Sequence, residues 1–162
     1  MLARLASWST DEPEKDWKEI ATRKKAERES RLPEKWLVET DDLPSDSILD
    51  VTQLCAQHKW LNEEELAITE LSAVDLAVAI KEERYTAVAV IEAYAHRATI
   101  AQQLVNPYVL DTKCHADDTS LTEINFEQAS KEAKELDEHL EKTGTVVGPM
   151  HGVPISVKVC LV

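Results

Sequence analysis

The stretch Gly148-Pro149-Met150-His151-Gly152-Val153-Pro154-Ile155-Ser156-Val157-Lys158 decides how this chain is read. Its two glycines and two prolines fix a tight turn into a strand, because glycine opens backbone angles closed to other residues and proline locks φ. Alternation along the strand places Ile155 and Val157 on one side and Pro154, Ser156 and Lys158 on the other. Lys158 thus ends a largely apolar run. Burial at such a place disfavours the ammonium, and a neutral lysine takes a proton from a serine hydroxyl. On the residues alone a second reading stands beside this one: a strand-end lysine whose stem lies on apolar surface while its ammonium stays in water. His151, inside the turn, reads as a hydrogen-bonding brace of that turn.

Upstream of the turn the pattern is helical. Phe126, Ala129, Ala133, Leu136 and Leu140 advance in steps of three and four, which a period of 3.6 demands. Asn125 reads as the cap of this helix, with Gln128 reaching back and Gly144 as the stop. Lys131, Glu132, Glu135, Asp137, Glu138 and Glu141 form its opposite face, expected to be solvated. Further upstream, Ser72 and Asp75 read as a capping box before Ala73, Leu76, Ala77 and Ile80. Thr86 then caps a second helix with an apolar stripe at Val88, Ile91, Tyr94 or Ala95, Ala98, Ala101 or Gln102, and Val105. The two make a helical hairpin with a short connection.

Residues 106–120 read as a long irregular connection, and residues 32–54, with Pro33 and Pro44, as a loop or extended arm. Leu54, Trp60 and Leu61 are possible anchors, and Leu61 to Leu66 reads as a helical turn or loop. Residues 11–31 are nearly all charged and read as a solvated helix with a narrow apolar edge at Trp17, Ile20 and Ala21.

The chain has 162 residues, with 31 acidic against 18 basic and a formal net charge of −13. That balance argues against a nucleic-acid or anionic-membrane binder, since both need clustered lysine and arginine. Only three glycines are present, too few for the phosphate loops of a doubly wound α/β enzyme. Cys55, Cys114 and Cys160 are odd in number and far apart, so reduced thiols are expected rather than disulfides. The start carries no apolar run of the length a secretory signal needs, and no window suits a membrane span. The expectation is a cytoplasmic protein.

His58, His96, His115 and His139 share no metal spacing, and packing or surface roles are expected for them. Cys114 and His115 are neighbours in sequence and cannot face one another across a site as a catalytic pair does. Asp117 and Asp118 lack companion ligands and read as a solvated turn.

Residues 148–158 resemble the lysine motif of the amidase signature family, G-P-[LM]-H-G-[IV]-P-[IV]-x-[VL]-K, at every position. Thr69 to Leu76 and Thr86 to Ala98 resemble that family's two opening helices, and Leu121 to Asp137 its helix before the motif. The region from Trp17 to Trp36 is similar to the amino-terminal extension of fungal acetamidase-like members. The resemblance implies an α/β fold, a mixed sheet flanked by helices, of which this chain would hold the N-terminal, mostly helical and incomplete part. On that reading residues 1–65 are a charged helical arm and loop, and residues 66–162 belong to the amidase domain.

The resemblance also implies hydrolysis of a carboxamide to an acid and ammonia or amine. The family does this with a nucleophilic serine, a second serine on a cis peptide and a lysine, and with no metal or cofactor. Only the lysine maps here, as Lys158. The implied partner is a small-molecule amide, with a homo-oligomer possible for a full-length form and no nucleic acid or membrane. Val159 stands where the family has aspartate, and Val159-Cys-Leu-Val162 resembles nothing in it. Val-Cys can be encoded by GTATGT, a common start of fungal introns, so translation into an unspliced intron is the expected origin of this tail. These residues alone are expected to be inactive. The alternative is a non-catalytic, acidic helical interaction protein or a truncated gene product.

Overall fold

The computed structural model describes residues 17–45, 48, 50–105, 121 and 123–157. Six α-helices are seen among them: α1 Trp17–Ser30, α2 Leu54–Gln57, α3 Glu63–Glu70, α4 Ala73–Lys81, α5 Ala87–Val105 and α6 Phe126–Thr143. Short 3-10 turns at Glu34–Trp36 and Thr40–Asp42 interrupt the arm after α1. Among the described residues there is no strand, so the mixed sheet expected from the sequence is not formed there. The physical reason lies in residues 153–157. Their alternation suits a strand, but a strand needs a paired neighbour. Ile155 and Val157 instead stand 70% and 78% exposed.

The centre of the fold is α5, which packs against α3 and α6 and touches the 34–36 turn. Its buried residues include Ala87, Val90, Ala93, Ala95, Thr99, Ile100, Gln102 and Leu104. This corrects the stripe expected from periodicity: Val105 is exposed, and the core runs through Val90, Ala93, Ile100 and Leu104. A helix covered on more than one side has no single polar face, so three-four spacing alone does not fix its orientation. One cluster joins Val90 and Ala93 to Ile68, Leu76 and Ile80. A second joins Ile100 and Leu104 to Leu54, Cys55 and Leu61. Leu54 and Leu61 therefore do anchor the arm, with Trp60 packed beside them.

Two neighbouring amides on α5 hold flanking backbone in place. Gln102 accepts from Leu121 N–H at 3.0 Å and donates to the Leu121 carbonyl at 3.3 Å. Gln103 does the same with Val38, at 2.9 and 3.0 Å. Each side chain substitutes for a neighbouring strand and satisfies both polar groups of one residue.

The helix ends show how local chemistry sets the boundaries. Asn62 Oδ1 accepts from Glu65 N–H at 2.8 Å while Glu65 Oε2 accepts from Asn62 N–H at 2.9 Å, a complete capping box for α3. Asn62→Ala is expected to cost about 1 kcal/mol in chemical denaturation. At α4 the box is altered. Ser72 Oγ accepts from Asp75 N–H at 3.2 Å, but the Ser72 hydroxyl donates to the Asp75 carboxylate at 2.6 Å, in place of the Ser72 N–H. At α6 the expected Asn125 cap is not made, and Gln128 donates to Glu132 instead.

Helices α2 and α4 stop without glycine. Lys59 and Glu83 take left-handed φ of 55° and 57°. Trp60 N–H bonds back to the Cys55 carbonyl and Arg84 N–H to that of Ala79. Both ends carry the paired return bonds of a Schellman motif. Gly144 ends α6 as expected, at φ 63°.

The amino end of α5 depends on α6. Thr86 Oγ1 accepts from Ala89 N–H at 3.0 Å. Asp137, on α6, accepts from Ala87 N–H at 2.7 Å and Val88 N–H at 3.0 Å. Asp137 therefore leaves the solvated face assigned to it: its charge satisfies two otherwise orphaned donors at the positive end of the α5 dipole. Asp137→Ala is expected to destabilise the chain by about 1.5–3 kcal/mol, since Ala87 is fully buried and its N–H would lose its partner. Asp137→Asn, which keeps one acceptor, is expected to lose less. Thermal unfolding of both variants checks the order.

Candidate functional site

The segment Gly148–Val153 is two overlapping β-turns. His151 N–H bonds to the Gly148 carbonyl at 3.2 Å, which places Pro149 at the first central position, where its locked φ fits. Val153 N–H bonds to the Met150 carbonyl at 3.2 Å, and Gly152 occupies the second central position with φ 74°. A left-handed residue there defines a type II turn and explains the glycine. The motif spelling G-P-x-H-G-V is thus the spelling of two consecutive turns.

The double turn is seated on the corner between α4 and α5. A Cβ at position 152 would lie 2.9 Å from the Ala87 Cβ and 3.1 Å from the Ile80 Cδ1. Val153 packs on the cluster that holds Ile80 and Val90. His151 is the buried polar residue of the turn, 4% exposed. Its Nδ1 accepts from Val147 N–H at 3.2 Å, so the expected brace is present. Its Nε2 is buried without a partner among the described residues. Burial holds the His151 imidazole below its ordinary value of 6.5, Asp137 opposes this, and His139 adds to it.

From this seat residues 153–157 lead outward, with Ser156 exposed beside Ile155 and Val157. Lys158, the catalytic candidate, lies outside the described residues, as do Cys114, His115, Asp117, Asp118 and Cys160. Cys55 is a buried free thiol whose ionisation burial pushes up. Two further histidines have packing partners: His58 stacks on Trp60, and His96 stacks on Trp36 while its Nδ1 sits 3.0 Å from Glu65 Oε1. No group of three metal-ligating side chains occurs among the described residues. A separate cleft of about 390 Å³ lies between Trp36, Ile91 and Phe126, and no residue of the turn lines it. No helix among the described residues is long and apolar enough to cross a membrane.

Sequence reasoning missed Asp137 as a member of this corner. Its signal in sequence was only an acid on a helix face crowded with acids, and the α5–α6 packing gave it its role.

No family model matches the chain. An acetamidase of Emericella nidulans is 38% identical over 143 residues, which is 88% of this chain and 23% of the relative. An amidase of Gibberella moniliformis is 36% identical over 149 residues, 90% of this chain and 26% of the relative. Among solved structures, fatty acid amide hydrolase superposes with a TM-score of 0.71 at 30% identity, over 86% of this chain and 23% of that one. The chain belongs to the amidase family. It spans about a quarter of the length of these amidases.

Proposed function

We propose that this chain is the lysine-bearing part of an amidase that cleaves the C–N bond of a carboxamide to an acid and ammonia or amine. Lys158 acts as base, through a bridging serine, on a nucleophilic serine. The observation that carries the reading is the double turn at Gly148–Val153, seated by Gly152 on Ala87 and Ile80, which leads directly into the segment bearing Lys158. A rigid launch point is what a proton-transferring lysine needs, because its Nζ must reach hydrogen-bond distance of the hydroxyl it serves. The kinship with named amidases and acetamidases supports the same chemistry. The two serines of the proposed mechanism match no position in these 162 residues, and the donors for the developing oxyanion would accompany them.

A hybrid tests this reading. Residues 1–158 replace the matching quarter of the Emericella nidulans acetamidase, and ammonia release from acetamide and benzamide is followed. The hybrid is expected to release ammonia, and the 162-residue chain alone is expected to release none above the buffer blank. A folded hybrid without turnover contradicts the assignment, and turnover by the chain alone contradicts the proposed division of the triad.

A further inference from the structure

We propose that His151 is a positioning residue of the amidase site: a neutral imidazole, protonated on Nε2, whose bare Nδ1 fixes the double turn by accepting the Val147 N–H. The role in the reaction rests on the reading of Lys158 given above, while the protonation state rests on geometry alone.

A backbone N–H only donates, so the nitrogen that faces it must carry a lone pair. The Val147 N–H faces Nδ1 at 3.2 Å, which leaves the ring proton on Nε2. His151 is the last residue of the first turn and the first central residue of the second. One ring therefore ties Val147, just before the turns, to the hinge between them. An imidazolium carries N–H on both nitrogens and accepts nothing. Protonation and the Val147 bond thus exclude one another. Nε2 has no partner among the described residues, so they offer no second bond to hold the ring when the first is lost.

The surroundings favour the neutral form. The ring is almost fully buried, and α4 and α5 meet the turn at Gly152 with methyl groups of Ile80 and Ala87. The ionisable groups acting on the ring are Asp137 and His139, both on α6. Asp137 already accepts from the two N–H groups that begin α5. The unfolded chain gains its His151 proton near the ordinary 6.5, while the folded ring resists it to lower pH. Acidification through and below 6.5 therefore draws the equilibrium toward the unfolded turn.

Nitrogen spectra of the 162-residue chain labelled at histidine test the proposal without any activity. His151 is expected to show a protonated Nε2 and a bare Nδ1 at neutral pH. A proton on Nδ1, or an imidazolium at neutral pH, overturns the proposal. In the hybrid enzyme, His151→Leu keeps the bulk but removes the acceptor, and is expected to lower kcat by up to about 10²-fold with little change in KM. His151→Asn, which returns an acceptor near the place of Nδ1, is expected to recover most of that loss and to flatten the fall in kcat on the acid side. Equal losses in the two variants overturn the positioning role. An inactive unsubstituted hybrid would instead count against the amidase reading and leave the spectra to decide the protonation state.

Discussion

Gly152→Ala is expected to lower the stability of the chain by about 2–5 kcal/mol, through two costs that add. The first is conformational. Position 152 holds φ 74°, and an L side chain in the left-handed region costs roughly 1–2 kcal/mol. The second is steric. The added methyl would meet the Ala87 Cβ at 2.9 Å and two carbons of Ile80 at 3.1 and 3.4 Å. Ala87 has no rotamer that moves its Cβ, and its N–H is held by Asp137, so the turn itself must lift from the corner. Overpacking of this kind costs about 1–3 kcal/mol. Gly148→Ala is the matched control. No atom lies within 4 Å of a Cβ there, and the expected change is within about 1 kcal/mol of zero. Urea unfolding of the two variants checks the contrast, and equal effects would contradict the seating of the double turn.

The parts of the fold legible in the sequence were those set by neighbours along the chain. The α6 stripe through Ala133 and Leu140 is buried as its spacing requires, and Gly144 ends that helix. Thr86 caps α5 because its hydroxyl needs only the N–H three residues on. The missed features are set by neighbours in space. Asp137 looks like its acidic companions until α5 is laid against α6. Gln102 and Gln103 look like polar residues near a helix end, and only packing shows each clasping a backbone residue far along the chain. The stops at Lys59 and Glu83 are hidden for another reason: the left-handed conformation falls on residues that disfavour it, and the return bonds hold them there. The α3 capping box is spelled in the sequence as Asn62 with Glu65, but Leu61 to Leu66 reads there only as a helical turn or loop, and the helix runs on to Glu70.

The site was legible in a different way. The residues of the motif announce turns, and the two β-turns and the His151 brace follow from proline, glycine and imidazole chemistry. That the turns rest on Ile80 and Ala87 was not legible, because nothing in the spacing of Gly152 from either says that a missing methyl makes room for them. The strand expected over Pro154 to Val157 also depended on a partner the sequence pattern could not supply. Alternation records a preference for pairing, and exposed Ile155 and Val157 show that preference unmet among the described residues.

The second large effect concerns Lys158. In the hybrid enzyme its loss is expected to remove the proton acceptor for the serine hydroxyl while leaving the turn, the α4–α5 corner and the substrate pocket of the relative in place. General-base catalysis contributes about 10²–10⁴-fold, so Lys158→Ala is expected to lower kcat by that factor with KM changed far less. Lys158→Arg keeps a positive charge but not the ability to give up its proton, and is expected to fall with alanine rather than to rescue. The direct measurement is kcat for acetamide in the hybrid and its Lys158→Ala variant, both shown to be folded by the same unfolding curve. A fall of about 10²-fold or more is the predicted result. Turnover by the alanine variant at the rate of its parent would contradict the account.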